Sequence, residues 1–429
     1  MRRGGSRIAL AIGLLGLATG AAAADFNITS PDVGTMRGFD STRSVSPVGG
    51  NDAKTLGAQR RNALTYAASI VLSRLSSPVP INIEATFDTR NDSDLSCRRN
   101  SATLGYGGPT NYVYGFRDAP QADVLYPLAL ANALAGRRLA DRRTTPDIQL
   151  MFNSRLDAGR DSCLQGTRWY YGLDGKPGAD QLDFVATAVH EIIHGLGFES
   201  LVALTARDDA RPGQFPLLPD GARYPDVFST FIQDLSLDGQ PRWPRLSDDQ
   251  RAASLTHGPD VVWDSATTSN AAYGYLSAGL NQGRVEMFAP SPLVEGSSIS
   301  HWASTLSPDQ IMAPYESPDT SVLSGIGMAA CALQDLGWRL AGGARCPDIE
   351  TPPLAGDVAG GFVADADDWS RGDPDNLSSG DDDNDNDGGG GGGCTLDPQA
   401  RFDPIWLMLL GLSVGVVLIR RRYRHASRP

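Results

Sequence analysis

The segment Gln181–Ser200, QLDFVATAVHEIIHGLGFES, constrains this chain more than any other. Leu182, Val185, Val189, Ile192, Ile193 and Leu196 recur at the spacing of one helix face, which predicts an amphipathic helix with a core-facing stripe. Asp180 is the expected N-cap, Asp183 a favourable charge in the first turn, and Gly195 and Gly197 end the helix. Asp183, Thr187, His190 and His194 form a polar stripe on another face. Residues four apart stack on one side of a helix, so both imidazoles reach one metal ion. Glu191 points about 100° further round. There it reaches a water on that metal without being a ligand. The plainer reading is a helix that carries these residues by chance. It is the weaker one, because the chain has only five histidines and two of them stand here.

A catalytic zinc needs three protein ligands and an open position. In the compact pattern HExxHxxGxxH the third histidine would fall at position 200, which is Ser200. The third ligand therefore lies farther along, and His257, His301 and His425 remain. His301 stands in Ser298-Ile299-Ser300-His301-Trp302, and Met312 follows 11 positions later in Ile311-Met312-Ala313-Pro314-Tyr315. His257 lies in a turn context, Thr256-His257-Gly258-Pro259, with no such methionine after it. It is the weaker candidate.

HEIIHGLGF, a long insertion, SHWAS and then IMAPY together resemble the leishmanolysin branch of the metzincins. Val285-Glu286-Met287-Phe288-Ala289-Pro290 and the DLGW ending Asp335–Trp338 are similar to secreted bacterial relatives of that branch. The resemblance covers roughly 182–200 and 285–338. It implies an α+β, two-lobed zincin fold, with a mixed sheet and the active-site helix in the N-terminal lobe. The C-terminal lobe would be loop-rich and carry a Met-turn. It implies zinc ligands His190, His194 and His301, general base Glu191 and Met-turn Met312, separated from the helix by 107 positions between His194 and His301. The implied activity is a zinc-dependent endopeptidase acting on proteins or peptides. Three neutral imidazoles leave one catalytic Zn2+ its charge, which lowers the pKa of its water towards ~7 and polarises the scissile carbonyl. Glu191 takes the water's proton. Tyr315 is three past Met312, where metzincins that use a Met-turn tyrosine place it two past, so it is given no role. Two rival classes stand beside this one: a zinc hydrolase with a downstream carboxylate in place of His301, and a non-catalytic surface adhesin that keeps the fold. An intact Glu191 argues against the adhesin.

The first residues have the form of a secretory leader: Arg2, Arg3 and Arg7, an apolar run Ile8–Leu17, then small residues. Residues 1–24 are read as that leader, cut after Ala23 or Ala24, with an uncleaved anchor as the alternative. An exported chain forms disulfides. Locality pairs Cys97–Cys163 and Cys331–Cys346, although two other connectivities are open, and Cys394 is left over. No CxxC spacing occurs, so a cysteine zinc site is not expected. No cysteine precedes Cys97, so a cysteine-switch propeptide is not supported either.

Residues 25–347 form the expected metallopeptidase domain. Lys54–Leu75 has helical periodicity, and Ile81, Ile83, Ala85 and Phe87 alternate as a half-buried strand. Asn111–Phe116 is a further strand and Val124–Leu139 a helix. Asp147–Asn153 is a strand expected to be the sheet edge that pairs with substrate. Val227–Leu235 and Ile326–Leu336 read as helices.

Residues 348–393 are rich in Asp, Gly, Pro and Ser and end in DDDNDNDGGGGGG, an expected disordered linker. Asp383, Asp385, Asp387 and Gly388 match half of a calcium loop. Cys394 stands where its closing glutamate belongs, so Ca2+ is unsupported. Residues 394–429 hold an apolar run, Ile405–Ile419, short against the roughly 20 residues of a free span, followed by Arg420, Arg421, Arg422 and Arg424. This order resembles a bacterial C-terminal envelope-sorting signal, recognised and removed by an intramembrane protease. A permanent single-span membrane anchor is the alternative. Residues 25–419 carry 29 basic against 50 acidic side chains, a balance poorly suited to nucleic acid.

Overall fold

The computed structural model describes residues 22–88, 95–140, 142–206, 210–315, 325–349, 360–363 and 394–395. The body of the leader, the half calcium loop and the apolar tail lie outside them. Among the described residues the chain is mixed α+β, with six α-helices and both parallel and antiparallel strands. No helix among them is long and apolar enough to cross a membrane.

The N-terminal half is built on one five-stranded sheet. Its strands are β1 (Phe26–Thr29), β2 (Ile81–Asp88), β3 (Gly105–Pro109), β4 (Ile148–Asn153) and, from the far end of the chain, β9 (Gly360–Phe362). The order is β9-β1-β2-β4-β3, parallel throughout except for the antiparallel pair β4/β3. Helix α1 (Leu56–Leu72) connects β1 to β2 and packs against α3 (Phe184–Gly195). Thr55 caps α1 by accepting from the Ala58 amide. Ile81, Ile83, Ala85 and Phe87 of β2 and Ile148, Leu150 and Phe152 of β4 are all buried, as their alternation requires. Phe184 at the start of α3 meets Phe152 at 4.7 Å and Phe87 at 5.7 Å between ring centroids, which ties the helix to both strands. Each such buried phenylalanine contributes about 1.5–3 kcal/mol.

Four expectations are corrected here. The strand Asp147–Asn153 is not at an edge: β4 lies between β2 and β3, and among the described residues the outer strands are β9 and the glycine-rich β3. Helix α2 covers only Leu128–Ala135, because Tyr126–Pro127 pairs with Tyr112–Val113 as a hairpin and Gly136 turns left-handed at φ 68°. The histidine-bearing helix begins at Phe184, since Gln181–Asp183 is drawn into a parallel pairing with Arg168–Tyr170. Its cap is therefore Asp183, not Asp180. The segment Val227–Leu235 holds only a short 3-10 turn, Ser229–Phe231, before strand β5.

The C-terminal half carries a small antiparallel sheet: β5 (Ile232–Asp234), β6 (Val261–Trp263), β7 (Leu280–Asn281) and β8 (Arg284–Glu286), in the order β5-β6-β8-β7. Helices α4 (Asp248–Ser254), α5 (Ala266–Ala272) and α6 (Ala329–Leu336) complete it. Trp263 and Trp302 pack with Phe198 and Phe228 beneath the end of α3. The indole of Trp263 donates to Asp335 at 2.9 Å.

Both disulfides expected from locality are formed, Cys97–Cys163 and Cys331–Cys346. The stretch read as linker contributes two pieces to the fold. Asp348 is buried and accepts from Arg74 at 3.0 Å and from the Ile326 amide at 2.9 Å. Strand β9 lies on β1, with Phe362 against Phe39.

Candidate metal centre

The site is assembled on α3 by its two ends. At the start, the Asp183 carboxylate accepts from the Val185 and Ala186 amides at 2.8 and 3.3 Å. Burial pushes its pKa up to about 6 against the pull of those amides. At the end, Gly197 adopts φ 110°, a conformation that glycine takes at little cost. The turn it makes brings the Phe198 carbonyl back to Nδ1 of His194, which donates to it at 2.7 Å.

His190 and His194 project from one face of α3, as their spacing requires. His301 comes to them from the other half of the chain. The strand-like run Met287–Phe288 holds it in place: the Phe288 amide donates to the His301 carbonyl at 2.9 Å, and Met287 bridges Trp302. The Met312 carbonyl accepts from the Trp302 amide at 2.9 Å, and Met312 itself is buried. These contacts bring the three separated sequence blocks to one point.

The three Nε2 atoms form a triangle with sides of 3.0 Å (His190–His194), 3.2 Å (His190–His301) and 3.3 Å (His194–His301). Each Nδ1 donates its proton to a backbone carbonyl: His190 to Ile311 at 2.6 Å, His194 to Phe198 at 2.7 Å and His301 to Ser297 at 2.8 Å. With Nδ1 protonated, a neutral imidazole carries its lone pair on Nε2. All three lone pairs therefore aim into one buried space. Burial holds His190 down at about 4, and His194 and His301, which also feel the neighbouring imidazoles, well below the usual range. Three neutral acceptors brought together without a donor repel one another; a cation relieves that. Among the described residues, His190, His194 and His301 are the group whose ligand atoms could hold a metal ion.

Glu191, one position after His190, is completely buried. Strand β3 passes directly over it. A Cβ on Gly107 would stand 2.2 Å from the Glu191 carbonyl oxygen, so only glycine lets the strand lie this close to the helix.

The other candidates fall elsewhere. His257 donates from Nδ1 to the buried Asp234 at 2.8 Å, in the C-terminal half and outside the triangle. His425 lies outside the described residues. Tyr315 sits edge-on to Phe288 at 5.7 Å. Sequence reasoning missed the carbonyls of Phe198, Ser297 and Ile311, since backbone acceptors leave no mark on residue type. It also missed a buried acid pair that braces the chain leaving α3. Tyr112 donates to Glu199 at 3.3 Å, while Asp226 accepts from the Leu201 amide at 2.9 Å and from Ser229. Burial raises the pKa of both acids. Compared with protein-family models, with curated proteins and with solved structures, the chain finds no match.

Proposed function

We propose that this chain is an exported, zinc-dependent endopeptidase with a zincin fold of the leishmanolysin-like metzincin type. The observation that carries the reading is the triangle of Nε2 atoms at 3.0–3.3 Å with every Nδ1 committed to a carbonyl. Ligand nitrogens about 2.0–2.1 Å from a tetrahedral zinc stand about 3.3 Å apart, so the three histidines fit that ion closely. The hydrogen bonds at Nδ1 supply the outer support that fixes tautomer and ring orientation in zinc sites. When bound, zinc supplies Lewis acidity to the scissile carbonyl and to a water.

The protein's own groups do the rest. Glu191 accepts the proton of the attacking water and returns it to the leaving amine. Its side chain is fully buried, out of bulk solvent. Strand β3 runs beside Glu191 and closes over that side of the helix. Met312, buried and bonded through its carbonyl to the Trp302 amide next to His301, serves as the Met-turn.

A carboxylate third ligand loses its motive, because His301 already closes the triangle. A structural metal site on an adhesin has no use for Glu191. The disulfides fit an oxidising compartment. Processing of the tail by an envelope protease remains part of the proposal and concerns residues 394–429. The test is metal analysis of the purified protein beside a peptide-cleavage assay with and without chelator. About one zinc per chain and chelator-sensitive cleavage are expected; a metal-free, inactive protein would reject the reading.

A further inference from the structure

The N-terminal alanines are not equivalent in the fold. Ala22 is exposed, Ala23 is half-buried and Ala24 is 0% exposed, part of the main hydrophobic core. The Ala24 amide donates to two carbonyls at once, Leu75 at 2.8 Å and Leu72 at 3.3 Å. Leu72 is the last residue of α1. Its carbonyl is one of those a helix leaves without an internal partner, at the negative end of the helix dipole. Arg74, on the same turn, is taken up by Asp348. Asp25 is exposed, and β1 begins at Phe26.

An amide has one proton to divide between those two carbonyls, whereas an ammonium has three. We infer that the mature protein begins at Ala24, with its new α-ammonium seated on the C-terminal end of α1. The inference rests on reading residues 1–24 as a secretory leader and chooses between the two bonds that reading left open. In the step itself, water hydrolyses the Ala23–Ala24 bond. Ala23 keeps the carboxylate, and the Ala24 nitrogen takes the proton to become an ammonium. The catalyst is a small-residue-specific endopeptidase of the exporting membrane. Cutting one bond later would remove both the methyl that fills the core position and the donor that the two carbonyls use.

The test uses the full chain, expressed in a bacterium that exports it and then purified. N-terminal sequencing and intact mass are expected to give Ala24 as the first residue. Asp25 first, or a retained leader, overturns the inference. The folded protein is then treated with an amine-acylating reagent. A free α-amine ordinarily reacts faster than lysine, because its pKa is about 8 rather than 10.4. Here it is expected to react at least tenfold slower than the exposed Lys54 and Lys176, and to lose that protection on denaturation. An α-amine as reactive as Lys54 overturns the seating. Peptidase activity enters neither readout, so the result stands apart from the proposed function.

Discussion

The carbonyl of Ile311 accepts the Nδ1 proton of His190 at 2.6 Å across 121 positions of sequence. The residue just before Met312 thus sets the orientation of the first histidine on α3. One turn in the C-terminal half therefore orients a side chain in the N-terminal half, and the site exists only when both halves are folded together.

Glu191→Gln keeps the size of the side chain and removes its basicity. The variant is expected to retain metal and melting temperature while cleavage falls by about 10²–10⁴-fold. Metal content, thermal melting and peptide turnover on one preparation check this. Turnover near the wild-type rate would falsify the role of Glu191.

His301→Ala and His257→Ala separate the two candidate ligands. Removing His301 leaves two Nε2 donors, so bound metal should drop to a small fraction of one per chain. The His257 variant should keep its metal, because that ring is occupied by Asp234. The opposite pattern in elemental analysis would place the third ligand elsewhere.

Gly107→Ala tests the close approach of β3 to the helix. The added methyl meets the Glu191 backbone at 2.2 Å, so strand or helix must shift. Overpacking of this kind costs about 1–3 kcal/mol. A lowered melting temperature and at least tenfold weaker cleavage are expected, with metal still bound. Unchanged activity and stability would show that the strand sits farther out.

Protons and the metal compete for the same three Nε2 atoms. A free imidazole binds a proton near 6.5. Burial holds His190 at about 4 and the other two well below the usual imidazole range. A lower pKa means weaker competition, so metal should stay bound as the pH falls through 6.5 and leave only towards about 4. Metal content after dialysis at a series of pH values measures this. Release already complete near 6.5 would contradict it.

Replacing both Cys331 and Cys346 by serine opens a loop of 15 residues. The chain-entropy term for such a loop is about 3 kcal/mol. The double variant should melt several degrees lower and still bind its metal, since neither cysteine belongs to the histidine triangle. An unchanged melting temperature would mean that α6 and the Asp348 contacts hold this end without the bond.

What could be read in the sequence was local. The stripe on α3 and the i, i+4 histidines are fixed by helix geometry within a dozen residues. The alternation in Ile81–Phe87 and Ile148–Phe152 is equally local. Long-range pairing was not legible. Asp180 and Asp183 are equally good caps by composition, and only the pairing of Gln181–Asp183 with Arg168–Tyr170 decides between them. Strand β3, GYGGP, has almost no strand-forming side chains. Its conformation comes from β4 on one side and the Glu191 backbone below it. The sequence Gly360–Phe362 sits in a polar stretch and becomes a strand only because β1 presents a free edge. His301 could be singled out through the blocks around it, never through its spacing from His194.

Strand β9 and strand β3 are the two outer strands of one sheet, with three strands between them. At about 4.8 Å per strand, the two rims stand about 19 Å apart. The chain nevertheless does not stay at the β9 rim: Cys394 and Thr395 pair with Tyr114 and Val113, in the hairpin that follows β3. A cut near Cys394 would therefore remove a clasp from that hairpin as well as release the tail.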